Sequence, residues 1–147
     1  MNSLFTIGFT QKGAEKFFDL LAASSVKKLI DVRLNNTGQL SGFAKKDDLS
    51  YFLKRICAIE YVHMPSLAPT ADILSAYKKK TMSWEEYEKR FVDLIHVRKI
   101  ERELTVTDAE SSCLLCSEHK PHKCHRRLVA EYLNDQWGTR LTVKHLV

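Results

Sequence analysis

One stretch limits the possible folds of this chain more than any other. Residues 112–116 (Ser-Cys-Leu-Leu-Cys) are short, apolar and uncharged, as in a strand covered on both faces. Residues 117–122 make a polar turn that contains Pro121. Cys124-His125-Arg126 then opens an amphipathic segment, predicted as a helix over residues 124–134, in which Leu128 and Tyr132 share a face. A buried strand passing through a turn into a helix is a βα unit. Such units assemble into a parallel sheet covered by helices.

The rest of the chain repeats that alternation. Strands are predicted over residues 4–9, 28–33, 59–64 and 141–146. Ala14, Phe17, Phe18 and Leu21 recur at helical spacing. Asp47 is read as the cap of a helix carrying Leu49, Phe52, Leu53 and Ile56. Residues 34–43 and 65–70 are loops, and 71–77 is a short helix. Ser83 with Glu86 reads as a capping box for a helix whose face holds Trp84, Tyr87, Phe91, Leu94 and Ile95 and which runs to about residue 100. Gly138 stands where that last helix, over 124–134, should stop. The expected fold is α/β: one three-layer domain over residues 1–147, with a largely parallel sheet of about five strands, Rossmann-like or flavodoxin-like.

Composition narrows the setting. The chain has 147 residues, 44% hydrophobic and 28% charged, which suits one globular core. No apolar run approaches membrane-spanning length. The opening Met-Asn-Ser-Leu-Phe-Thr-Ile lacks a basic leader and reads as a strand. Four cysteines in a chain of this size fit a reducing compartment better than a disulfide framework, so the expected location is cytoplasmic. The net charge of +5 is mild. Lys78-Lys79-Lys80 reads as a solvated helix end, and aromatic residues do not interleave with basic ones as a stacking platform requires.

In a parallel sheet, the residues at the C-terminal strand ends face one crevice. Gly8, Asp31, Arg33, Glu118, Cys124, His125 and Arg126 should meet there. Arg33 and Arg126, with the N–H groups of the helix start, form an anion site; Asp31 is expected to orient one arginine and leave the other for ligand. Cys124 at a helix N-terminus beside cationic neighbours is a candidate nucleophile, or else a small buried packing residue. His125 with Glu118 can move protons, although Glu118 could equally cap the helix. Cys116, Cys57 and Cys113 are read as structural.

At these residues the chain resembles the DUF488 family, small α/β proteins of uncharacterised activity. The pieces that carry the resemblance are Thr6-Ile7-Gly8, Asp31-Val32-Arg33, Tyr61-Val62-His63, and Leu114-Leu115-Cys116-Ser117-Glu118 followed by Cys124-His125-Arg126. The family's Pro-x-Leu-Gly step after the third strand is here Pro65-Ser66-Leu67-Ala68, so a side chain stands where the family has none. The resemblance implies the fold and the site, and no reaction.

Other chemistries fit less well. Cys113 and Cys116 have C-x-x-C spacing, with His119, His122, Cys124 and His125 downstream. Residues three apart on a strand point to opposite faces, so no metal is expected; a partial site from Cys116, His122, Cys124 or His125 is the alternative. The Leu29-to-Arg33 strand is similar to that of rhodanese-like sulfurtransferases. The related phosphatase loop needs an arginine six positions after its cysteine, where this chain has His122 or Ala130. Gly8 and Gly13 do not complete a dinucleotide fingerprint, and no cofactor is expected. The sequence thus points to a small enzyme that binds an anionic or nucleotide-like ligand. The alternative is a non-catalytic nucleotide- or nucleic-acid-binding module using the same crevice, with no membrane partner.

Overall fold

The computed structural model describes residues 2–118 and 120–147, and gives the backbone alone at residues 39–41. His119, one of the histidines weighed for a metal, lies outside the described residues. The strands are β1 (Ser3–Gly8), β2 (Lys28–Asp31), β3 (Glu60–His63), β4 (Ser112–Cys116) and β5 (Thr142–Leu146). They form one five-stranded sheet in the order β3-β2-β4-β1-β5, with every pair parallel. The helices are α1 (Ala14–Ala23), α2 (Lys46–Phe52), α3 (Ala71–Lys78), α4 (Trp84–Arg98), α5 (Val106–Ala109) and α6 (His125–Gln136). This is the three-layer α/β arrangement expected from the alternation of patterns.

Side-chain alternation along the strands builds two cores. Phe5, Ile7, Leu29, Cys113 and Leu115 point to one face and pack with Phe17, Phe18 and Leu21 of α1 and Leu49 of α2. Leu4, Ile30, Leu114 and Cys116 point to the other and pack with α3, α4 and α6. Cys113 and Cys116 therefore occupy opposite faces, as strand geometry demands. β1 to β2 to β3 steps toward one edge, with α1 and α2 on one face. β3 to β4 to β5 steps back, with the later helices on the other face. Right-handed crossovers require that change of face when the direction reverses. The connections leaving the adjacent strands β2 and β4 thus diverge to opposite layers and open a crevice at their C-terminal ends.

Local signals explain most element ends. The Ser83 hydroxyl accepts the Glu86 backbone N–H at 3.2 Å and starts α4. That helix stops at Arg98, because Lys99 turns left-handed (φ 54°) into a short 3-10 segment, Ile100–Arg102. Gly138, at φ 77°, follows α6 in the conformation that favours glycine. Asp47 is not the cap of α2. Lys45 holds that position, the Lys46 N–H donates to the Asn36 carbonyl oxygen at 2.7 Å, and Asp47 and Asp48 sit in the first turn, where the helix dipole favours them. The short α5 was not anticipated; Thr105 and Asp108 close a capping box around it. Among the described residues, no helix is long and apolar enough to cross a membrane.

Gly8 ends β1 where the turn after β4 crosses it. A Cβ at this position would collide with the Glu118 carbonyl and lie 2.7 Å from Arg126 Nη1. The first contact is with backbone, so relief requires the turn itself to move. Gly8→Ala is expected to lower unfolding free energy by about 3 kcal/mol, the upper end for an overpacked position. Urea denaturation measures it, and an unchanged midpoint would contradict this close approach.

Candidate functional site

Two buried arginines stand at the C-terminal edge of the sheet, in different situations. Arg33 follows β2 and is 3% exposed. Its Nε and Nη2 donate to the two Asp31 carboxylate oxygens, each at 2.8 Å, and Nη2 also donates to the Ala44 carbonyl oxygen at 2.7 Å. The Tyr61 hydroxyl donates to Asp31 Oδ2 at 2.5 Å, and Asn36 Nδ2 reaches the Tyr61 oxygen at 3.2 Å. Burial alone would raise the Asp31 carboxyl, but the hydrogen bonds and charge of Arg33, with Tyr61, hold it below the ordinary carboxylate value. Burial and the Asp31 carboxylate push the Tyr61 phenol up. Arg33 Nη1 is left buried with no hydrogen-bond partner among the described residues.

Arg126 of α6 is fully buried, and its donors point inward. Nε donates to the Thr6 hydroxyl oxygen at 3.2 Å. Nη1 donates to the Glu118 carbonyl oxygen and lies 3.3 Å from the Cys116 sulfur and 3.9 Å from the Cys124 sulfur. The Thr6 hydroxyl is also hydrogen-bonded to His145 Nδ1 at 2.6 Å on β5. Burial lowers the Arg126 pKa to about 10, which still leaves the group charged at neutral pH.

Cys116 ends β4 and Cys124 is the N-cap residue of α6. Both are buried. Their sulfurs are in bonding contact, with Cα atoms 7.7 Å apart, beyond the roughly 4.4–6.8 Å span of relaxed disulfides. His125 is the next residue. Its Nε2 donates to the Val32 carbonyl oxygen at 2.7 Å, because a carbonyl can only accept. Burial pushes its pKa down to about 4, so at neutral pH the ring is uncharged, with its lone pair on Nδ1.

A cavity of about 710 Å³ opens over these groups. Arg33, Cys116, Glu118, Cys124 and His125 line its strand-end side. The opposite wall comes from the α3–α4 corner: Tyr77, Trp84 and Tyr87, with Lys78 and Lys80; Lys123 adds a further cation from the turn before α6. The Tyr77 and Tyr87 rings are 4.8 Å apart and Trp84 stacks on Tyr87 at 5.2 Å.

Of the residues expected here, the cavity brings together Arg33, Glu118, Cys124 and His125. Gly8, Asp31 and Arg126 do not line it. Gly8 serves the close approach of the turn, Asp31 is covered by Arg33 and Tyr61, and Arg126 faces the sulfurs and the Glu118 carbonyl. Asp31 does orient one arginine, Arg33; that same arginine, and not Arg126, keeps a donor without a partner among the described residues. Cys116, read as structural, shares the site. His122 is exposed. The aromatic–lysine wall was missed because helical spacing assigns Trp84 and Tyr87 to packing. The signal lay in the run Tyr77-Lys78-Lys79-Lys80 followed by Trp84, which does interleave rings with cations once a tight turn folds α4 back beside α3.

A five-stranded parallel sheet with helices on both faces and a crevice at its switch point is a doubly wound α/β fold. Residues 13–133 match DUF488, a domain of unknown function, and the chain belongs to that family. The match begins after β1, so Thr6-Ile7-Gly8 lies outside it. No curated protein and no solved structure matches the chain.

The Asp31–Arg33 pair sets an acid response. A carboxyl whose folded pKa lies below its ordinary 3.8 adds stability above that value and loses it as pH falls through the folded pKa. Asp31→Asn should cost about 3–5 kcal/mol at pH 7, because it strands a buried guanidinium. It should also flatten the fall in stability below pH 3.8. Urea unfolding from pH 7 down to pH 2 measures both (about five pH units, spanning the carboxylate range); an acid slope identical to wild type would contradict the pairing.

Proposed function

We propose that this protein is a small cytoplasmic enzyme acting on an anionic, nucleotide-like ligand held at the C-terminal ends of β2 and β4. The observation that carries the reading is one buried donor without a partner among the described residues, Arg33 Nη1, on a residue that lines a cavity with an aromatic wall. A buried donor left unpaired costs free energy that a ligand oxygen would recover. Lys78, Lys80 and Lys123 supply further positive charge for a phosphate or carboxylate. Tyr77 and Trp84 offer the flat apolar surface that a base needs. The volume of about 710 Å³ suits a ligand of nucleotide size.

Roles follow from position. Arg33 and the lysines hold the anion. Glu118, exposed at the cavity, and His125 with its bare Nδ1 are the groups able to accept a proton. Cys124 is buried beside the Cys116 sulfur and 3.9 Å from Arg126 Nη1, and in the reduced chain it is the candidate nucleophile.

Thermal shift with nucleoside phosphates, nucleosides and inorganic phosphate tests this reading. Nucleoside phosphates should raise the melting temperature most, because a ligand that binds only the folded chain stabilises it. Trp84→Ala should weaken nucleotide binding by about 1–3 kcal/mol while leaving phosphate binding nearly unchanged. Product analysis after incubation with the stabilising nucleotide then separates an enzyme from a binding module. No shift with any phosphate at millimolar concentration, or a shift with single-stranded RNA alone, would overturn the reading.

A further inference from the structure

The geometry points to a transition-metal site of the zinc class, held by Cys116, Cys124 and His125, with its fourth position open to the cavity. The two sulfurs and one ring nitrogen of His125 all lie within 4.8 Å of one another. They come from separate elements, the end of β4 and the start of α6, so the fold and not a local loop gathers them. Each feature of a metal centre other than the ion has a counterpart here. Zinc takes thiolate and imidazole ligands at about 2.3 and 2.0–2.1 Å, which sets neighbouring donors roughly 3.5–4 Å apart in a tetrahedron. The Cα separation of 7.7 Å is too wide for a relaxed disulfide and leaves room for an ion between the sulfurs once the side chains rotate apart.

The surrounding groups fit the same role. A metal-bound histidine usually donates its other ring N–H to a backbone carbonyl or carboxylate. His125 Nε2 does so to the Val32 carbonyl oxygen at 2.7 Å, which directs the lone pair to Nδ1. Arg126 Nη1 lies within 3.9 Å of both sulfurs and can donate to them as thiolates. Two thiolates cancel a divalent charge, so binding releases two thiol protons to solvent and leaves the Arg126 charge as it was. The soft donor set selects zinc over magnesium, calcium or manganese. All three ligand residues line the cavity, and this leaves a coordination position for an oxygen donor, from water or from the anion. With His125 Nδ1 on the metal, Glu118 remains as the proton-accepting side chain of the preceding section. Cys113 belongs to the opposite face and takes no part.

The 147-residue chain, purified under reducing conditions without chelator, is analysed for metal by mass spectrometry and loaded with cobalt(II) for absorption spectroscopy. No nucleotide is present, so failure here leaves the anion reading standing and failure there leaves this one standing. The expected result is one metal per chain, a four-coordinate cobalt spectrum with sulfur-to-cobalt charge transfer, and zinc X-ray absorption fitting two sulfurs at about 2.3 Å. Cys116→Ser should weaken cobalt binding at least 100-fold, whereas Cys57→Ala leaves it unchanged. The wild-type spectra keep the test decisive even if Cys116→Ser fails to fold. Substoichiometric metal after zinc loading, a six-coordinate cobalt spectrum, or a chain whose Cys116 and Cys124 thiols pass two electrons to dissolved dioxygen to form a disulfide and which takes no metal after re-reduction would each overturn the assignment.

Discussion

The buried guanidinium of Arg126 is the interaction on which the strand-end architecture depends. A buried charge survives only when its donors are met. Here they are met by β1 through Thr6, by β4 through Cys116, and by the following turn through the Glu118 carbonyl. One side chain on α6 thus binds two adjacent strands and the turn that leads back to it. Gly8 belongs to the same arrangement, since only a residue without Cβ lets the turn come down onto β1. The position of the Cys116 and Cys124 sulfurs follows from that closure, because both flank the turn that Arg126 fastens.

Arg33 shows the opposite use of the same side chain. Asp31 takes two of its corners and Ala44 shares one of them, which satisfies the charge and fixes the plane of the guanidinium. The remaining nitrogen has no partner among the described residues. A rigidly held cation with one donor left over is preorganised for an anion, and little side-chain entropy remains to be lost when one binds. The two arginines divide the work between them: one closes the fold, the other faces the cavity.

The sheet was legible because strands and helices alternate with distinct periods, and because a buried parallel strand such as residues 112–116 has no charged side chain to mislead. Convergence of Arg33, Glu118, Cys124 and His125 followed from strand ends alone. What sequence spacing could not tell was which arginine would be covered. Asp31 and Arg33 are two apart on one strand end and pair there, while Arg126 finds its acceptors in β1 and the turn, contacts that span up to 120 positions. The aromatic wall was hidden for a related reason. Trp84 and Tyr87 carry the spacing of a packing face, and only the fold of α4 against α3 reveals that this face also borders the cavity. Asp47 misled because a backbone carbonyl, that of Asn36, already satisfied the helix start that a side chain was expected to cap.

A crystal structure of the reduced chain with a nucleoside monophosphate tests the account most directly. The account predicts phosphate oxygens within hydrogen-bond distance of Arg33 Nη1 and the base against Tyr77 and Trp84, with Arg126 still turned toward Thr6 and the Glu118 carbonyl. Phosphate seated on Arg126 instead, or a nucleotide bound away from the ends of β2 and β4, would contradict it.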